Sequence, residues 1–357
     1  METVATLVAK PIPPRAWTAE EFLEKPMPQK VPLVDGLIHR RDLVALGARR
    51  RNGKTSFITD LAVQLATGAS DFLGYRIAEP RRTLLLILED DPGEFQEKLK
   101  RVIGNRDTQG RIRVATREDF FAGDVQINID DPKFLAAVHR LATEHQPDLI
   151  VLDNLAQVVR ADYNDPKKIH KVAKLCFDLG REHDAAVIVP AHPKKEDLQN
   201  PIDLVHSPTS FFESIMGSSH FVNSMGSLWG LQRDANDVTA FVGGRQRGDG
   251  QQSASYLEMD EDGHFALASN LATVLPLVLN TDQRLQAWAL LPDAPVTFGY
   301  REAETLVQTA LRSSSTFSRW MRECRRLGVI LEARDSKLMK ATGHAASPAS
   351  VGKLKKV

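Results

Sequence analysis

The stretch GARRRNGKTSF, Gly47 to Phe57, closes on Gly53-Lys54-Thr55, residue types that can hold a polyphosphate. In such a loop the backbone N–H groups of a tight turn wrap the phosphate oxygens. The lysine reaches the β and γ oxygens, and the following hydroxyl holds Mg²⁺. Ala48, Arg49, Arg50, Arg51, Asn52, Gly53, Lys54, Thr55 and Ser56 would then cradle ATP. The strict spacing places a glycine where Ala48 stands, and Gly47 is one position early. Alanine is small enough for the bend, and Gly53 stands where backbone approaches phosphate most closely. The three arginines either neutralise a triphosphate or face outward toward an acidic neighbour. A cradle binds through N–H groups, so outward is the expectation. A third reading is a loop that has lost its hold on ATP.

Two acids fit the same chemistry. LIVLDN places Asp153 at the tip of an apolar run, where a carboxylate is costly without a partner or a task. Holding Mg²⁺, together with Thr55, is such a task. TLLLILED ends on Glu89, a candidate base for polarising an attacking water. The plainer reading of Glu89 is a solvated strand-end acid, since Asp90 and Asp91 follow it.

These groups need strands to end at them and a helix to start at Lys54. LVAL (43–46) reads as a strand and SFITDLAVQLATG (56–68) as a helix, with Phe57, Leu61 and Leu65 on one face and Gly68 as its stop. TLLLILE (83–89), DLIVLD (148–153) and AAVIVPAH (185–192) read as buried strands. Residues 93–104, 133–145 and 166–183 read as helices between them. SLWGLQ, TAFVGG and ASYLEM follow as shorter strands. Alternating strands and helices predict an α/β fold, a mainly parallel sheet with helices on both faces and an antiparallel extension at its edge. Residues 1–35 read as a Pro-rich strap with one short helix, capped by Thr18 and closed by Glu21.

After residue 270 the character changes. Residues 281–291, 300–311 and 315–328 read as helices, and 329–341 as a hairpin turning at Arg334-Asp335. Three helices and a hairpin is the winged helix-turn-helix plan. The expected division is 1–35 strap, 36–270 ATPase domain, 271–342 winged helix and 343–357 disordered basic tail. From Leu271 onward there are 13 Lys and Arg against 7 Asp and Glu, although the whole chain balances at 46 each. A basic module on an acidic body fits an anionic partner for the tail or simply a solvated basic surface, and charge alone does not choose between them. Arg322, Arg325 and Arg326 share one helix face with Arg319, a face suited to duplex DNA or, as in other winged helices, to a protein contact, while Trp320, Met321 and Leu327 would pack inward. Ser313–Ser315 stand ready to cap that helix.

The two cysteines, Cys176 and Cys324, sit in neither a CxxC nor a Cys/His cluster, so neither a disulfide framework nor a zinc site is expected of them. There is no apolar run of membrane length and no basic region leading into an apolar core. A cytoplasmic protein without a membrane partner is expected.

Taken together, several segments resemble the RecA-type ATPases of the plasmid replicative helicase RepA class. PLVDGLIHRRDLVALGA, GKTSFITDLAVQLATG, TLLLILEDDPGEFQEKLKRV, PDLIVLDNLAQVV, AAVIVPAHPKK and MGSSHFVNSMGSLWGLQRD carry the resemblance, across roughly residues 15–260. It implies that Lys54 and Thr55 meet phosphate and Mg²⁺, that Glu89 is the base and that Asp153 serves the metal. It further implies that His192 senses the γ-phosphate. Arg245 or Arg247 would reach a neighbour's site in a homo-oligomer, a ring of six. The loop from Lys194 and Lys195 onward would face single-stranded DNA in the ring channel. The function implied is an ATP-dependent helicase or loader in replication of a mobile element. The alternatives are an ATP-gated DNA-binding regulator and an assembly scaffold for a recombination or defence system.

Overall fold

The computed structural model describes residues 15–27, 30–159, 165–193, 202, 204–205, 207–215, 223–233, 238–245, 254–268, 279, 281–293, 296–311, 313–326, 329–332 and 337–340. The chain divides into two compact units, Met1–Val31 and Pro32–Val357. Within the first, helix α1 (Ala19–Glu24) starts at a Thr18 cap whose hydroxyl accepts from the Glu21 N–H, while the Glu21 carboxylate accepts from the Thr18 N–H. The expected capping box is therefore present. Arg15 and Lys25 flank the Trp17 ring, at 4.0 and 4.6 Å from its centroid.

The second unit is organised by one sheet. Its strands, in chain order, are β1 (Leu43–Ala48), β2 (Thr83–Ile87), β3 (Ile112–Thr116), β4 (Leu149–Asp153), β5 (Ala186–Ala191), β6 (Ser227–Arg233), β7 (Thr239–Arg245), β8 (Ser255–Met259) and β9 (Phe265–Leu267). Among the described residues the spatial order is β9-β8-β7-β6-β1-β5-β4-β2-β3. Pairings from β3 across to β6 are parallel, and those from β6 to β9 are antiparallel. The mainly parallel sheet with an antiparallel edge is thus observed. β3 and β9, at its two rims, were not anticipated from the sequence. β9 is only three residues long, and β3 has a mixed burial pattern rather than an apolar run.

Strands β2, β4 and β5 are buried along their whole length, as covering a parallel sheet on both faces requires. Their side chains alternate between two cores. Leu84, Leu86, Ile150, Leu152, Val187 and Val189 face one; Leu85, Ile87, Leu149, Val151, Ala186 and Ile188 face the other. Helix α2 (Lys54–Thr67) lies in the second core. Its Phe57 ring packs against Phe72, Phe241, Phe265 and Trp229 at centroid distances of 5.3, 5.2, 5.4 and 6.3 Å. Buried Asp60, one turn on, accepts from the Phe265 N–H and bonds His264 Nδ1, each at 2.8 Å. The helix that follows the candidate phosphate loop is therefore tied to β6, β7 and β9.

Helices α3 (Pro92–Ile103), α5 (Pro132–His145) and α7 (Pro166–Glu182) begin alike: an aspartate caps and a proline takes the first helical position. Asp91, Asp131 and Asp165 each accept from the N–H two residues on, and proline costs nothing where its N–H would be unsatisfied anyway. Short helices α4 (Arg117–Ala122), α6 (Leu155–Val159) and α8 (Pro208–Ser214) complete the flanks. All three were missed in the sequence, because five to seven residues carry too little periodicity.

The C-terminal residues form α9 (Asp282–Leu290), α10 (Tyr300–Leu311) and α11 (Ser314–Arg326), then β10 (Ile330–Glu332) paired antiparallel with β11 (Leu338–Lys340). They share a separate core around Phe298, Phe317, Trp320, Met321 and Cys324. Trp320 and Met321 point inward as expected; Leu327 and the Arg334-Asp335 turn lie outside the described residues, as does the 343–357 tail. Ser313 alone of the serine run caps α11, accepting from the Thr316 N–H at 3.2 Å, and Ser314 and Ser315 are already helical. Glu323 of α11 reaches both Tyr256 of β8 at 3.1 Å and Arg284 of α9 at 3.2 Å, linking this core to the sheet edge.

Candidate active site

The sheet order brings the C-terminal ends of β1, β5, β4 and β2 side by side. The loop after β1 turns twice through left-handed backbone, at Arg51 (φ 63°) and Gly53 (φ 78°), before α2 starts. Glycine takes that conformation freely; arginine does so at a steric cost. Lys54 folds back into the loop and is 7% exposed. Its ammonium donates to the carbonyls of Ala48 and Arg49 at 3.2 and 3.3 Å and lies 3.0 Å from Nδ1 of His192. Burial pushes its pKa down to about 8, against the opposing pull of Asp153, Glu89 and Asp90.

Asp153 ends β4 with 3% exposure and accepts from the Thr55 hydroxyl at 3.0 Å. Burial raises its pKa to about 6, with the Thr55 bond acting the other way. Hydroxyl and carboxylate oxygens are the hard donors Mg²⁺ takes, and a buried carboxylate short of positive partners fits an arriving cation. Glu89 follows β2. Its carboxylate accepts from the Asn154 amide, stands 3.7 Å from Nε2 of His192, and is 3.8 Å from the Arg50 guanidinium. The Glu89 carboxyl is held below its ordinary range, first by His192 as a donor and then by the Lys54 and Arg50 charges, against the effect of burial. At 3.7 Å the histidine contact is long, and Asn154 is the nearer donor.

These side chains line a cleft of about 510 Å³ with Arg50, Arg51, Gly53, Ser56, Asp90, Glu94, Lys98, Arg233 and Met259. A cleft of about 620 Å³ lies elsewhere, against β3, and holds none of the predicted residues. Lys54, Thr55, Glu89, Asp153 and His192, widely separated in sequence, are thus brought together. Ala48 is the last residue of β1 and contributes its carbonyl. Asn52 closes the turn by donating to the Arg49 carbonyl at 3.2 Å. The loop arginines do not simply face outward. Arg50 is 84% exposed yet stands 3.8 Å from Glu89 of its own chain. Arg245 ends β7, on the far side of β6 from the loop strand. Its side chain lies outside the described residues, as do Lys194, Lys195, Arg247 and the side chain of Arg326. Arg319, Arg322 and Arg325 are exposed on α11 and do not join the cleft.

Asn154, Asp90, Lys98 and Arg233 were missed in the sequence. Asn154 had a signal: it follows the acid in LIVLDN, where the chain leaves the sheet at the site. Lys98 pairs with Asp90 at 2.9 Å from the second turn of α3, eight residues on, which no short motif marks. Arg233 reaches the cleft from β6 by strand order alone.

The chain belongs to the AAA domain family, whose model matches residues 9–197. With the loop, the acids and the strand order, this makes it a RecA-like P-loop ATPase. Family membership implies nucleotide binding, for which Thr55 and Asp153 are the fitting Mg²⁺ donors. No curated protein matches the sequence. The fold overlaps in part with one ATPase domain solved on its own, at 15% identity and a TM-score of 0.45 over 64% of this chain and 84% of that one. It overlaps with the RadB recombinase at 13% identity and a TM-score of 0.43, over 64% and 90%. A DnaB-like replicative helicase, solved for its interactions with primase, gives 15% and 0.45, and the chain spans 57% of that protein. Among the described residues no helix is long and apolar enough to cross a membrane.

Proposed function

We propose that the protein is a ring-forming, ATP-driven motor on DNA of the RepA helicase class, acting as a helicase or loader in replication of a mobile element. The observation that carries this reading is the convergence of Lys54, Thr55, Asp153, Glu89 and His192 on one cleft. Lys54 binds the β and γ phosphates, and Thr55 and Asp153 hold Mg²⁺, which neutralises charge developing on the transferred phosphoryl. Glu89 polarises the attacking water, and His192 reports the γ-phosphate to the chain that follows it. In a homohexamer, Arg245 or Arg247 completes the neighbour's site, and Lys194 and Lys195 grip single-stranded DNA in the channel. Residues 36–270 form the motor domain and 271–342 a winged helix that binds duplex DNA through Arg319, Arg322, Arg325 and Arg326.

A second reading, an ATP-gated regulator, is favoured by two contacts. Arg50 and Asn154 already occupy the Glu89 carboxylate, so the base must be released before it can act. The test is ATP turnover of wild type and Lys54→Ala, with and without single-stranded DNA, followed by strand displacement on a forked substrate. The motor requires turnover that DNA raises, that Lys54→Ala abolishes and that separates strands. Turnover without strand separation selects the regulator. No turnover in either protein overturns both.

A further inference from the structure

On the rim of the sheet opposite the nucleotide cleft, three side chains from two helices converge. His139 lies on α5; Glu182 ends α7 and His183 caps it, just before β5. Nδ1 of His139 stands 3.2 Å from a Glu182 carboxylate oxygen and 3.4 Å from Nε2 of His183. The three atoms lie within 4.8 Å of one another.

Hydrogen bonding leaves this arrangement short. One proton on His139 Nδ1 serves a single acceptor, so hydrogen bonding within the cluster does not engage Glu182 and His183 through it together. A cation satisfies all three lone pairs at once. The two spacings made by His139 are also those of a tetrahedral site. With metal–nitrogen and metal–oxygen distances of about 2.0–2.1 Å, neighbouring ligand atoms are about 3.3–3.4 Å apart. The observed 3.2 and 3.4 Å edges fall on that value. His139 and Glu182 retain 29% and 58% exposure, so an ion and a fourth, solvent-derived ligand have access. Two imidazoles and a carboxylate suit a borderline divalent ion over Mg²⁺ or Ca²⁺.

We propose that His139, Glu182 and His183 form a Zn²⁺-class site that staples α5 to the C-terminal end of α7. The site is separate from the nucleotide cleft, whose lining includes none of these residues. Bound metal stabilises the folded state, because the unfolded chain does not hold the three ligands together.

The test is calorimetric titration of the full chain with Zn²⁺, without nucleotide, alongside the His139→Ala/His183→Ala variant and a His192→Ala control. The expected result is one ion per chain with a micromolar Kd. Affinity falls at least tenfold in the double variant and persists in the control, and the wild-type melting temperature rises with Zn²⁺ and returns with chelator. A second measurement uses only wild type: Zn²⁺ shields His139 and His183 from diethyl pyrocarbonate, read by mass spectrometry. Absence of one-to-one binding, equal binding by the double variant, or unshielded histidines overturns the site.

Discussion

Lys54 and His192 meet over a single carbonyl. The lysine ammonium and Nδ1 of His192 are 3.0 Å apart, and each is 3.2 Å from the Ala48 oxygen. While Lys54 donates to Nδ1, that nitrogen is an acceptor, and the neutral ring carries its proton on Nε2, facing Glu89. Under the proposed function, a phosphate that drew Lys54 away would free Nδ1 to take the proton and donate to Ala48. Nε2 would then stop supporting the Glu89 charge, which would make Glu89 the stronger base. His192→Ala is therefore expected to shift the acid limb of the turnover–pH profile to higher pH, because the imidazole that helps hold the Glu89 carboxyl below its ordinary range is gone. Glu89→Gln is expected to lower turnover by about 10²–10⁴-fold with ATP affinity retained. Steady-state profiles and nucleotide titration check both.

The vacant-charge cost at Asp153 predicts a trade between stability and activity. Its folded pKa of about 6 lies above the ordinary 3.8, so between those values the folded state binds more protons and stability falls as pH rises. Lys54 has the reverse sign: with a folded pKa of about 8 against 10.5, stability rises with pH across that window. The nucleotide-free protein is thus most penalised between about pH 6 and 8, where both groups are charged. Asp153→Asn is expected to stabilise it by about 2–3 kcal/mol at pH 7, a gain that fades toward pH 4. It is also expected to abolish Mg²⁺-dependent turnover. Urea unfolding across pH, paired with turnover, shows whether the two effects travel together.

Much of this site was legible because its parts sit at strand ends. GKTSF, TLLLILED and LIVLDN each mark where an apolar run stops at a polar group, and the fold places those stops together. Gly47 was legible only as a misplaced loop glycine, and its reason is packing. A Cβ there would stand 2.4 Å from Ile215 Cδ1, and its partner across the β1–β6 register, Gly230, would place one 2.5 Å from Leu204 Cδ1. Contacts between residues so far apart in sequence leave no local pattern. The Arg50–Glu89 contact and Arg233 were hidden for the same reason.

That glycine pair supports a stability prediction. Phe211 of α8 approaches both positions, at 3.3 and 3.2 Å from the added Cβ atoms. Gly47→Ala and Gly230→Ala are each expected to destabilise the protein by about 1–3 kcal/mol through overpacking. Ile215→Ala opens space at the closest clash and is expected to restore part of the Gly47→Ala loss but none of the Gly230→Ala loss, whose clash is with Leu204. A double-mutant cycle by chemical denaturation measures the difference, and equal rescue of both variants would refute this packing account.

The arginines of α11 give a prediction for the C-terminal module independent of ATP. Arg319, Arg322 and Arg325 are exposed, while Phe317, Trp320, Met321 and Cys324 fill the opposite face. Side chains three residues apart on a helix line up, so the three guanidinium groups can follow a phosphate backbone. Each phosphate neutralised adds about 0.9 to the slope of log affinity against log salt for duplex DNA. Replacing all three with alanine is expected to reduce that slope by up to about 3 and to weaken binding uniformly across sequences. The helix should remain folded, since its buried face and the Ser313 cap are untouched. Fluorescence anisotropy over a salt series separates this from a protein-binding role: an unchanged slope in the triple variant would remove α11 from the DNA contact and leave its basic face to another anionic partner.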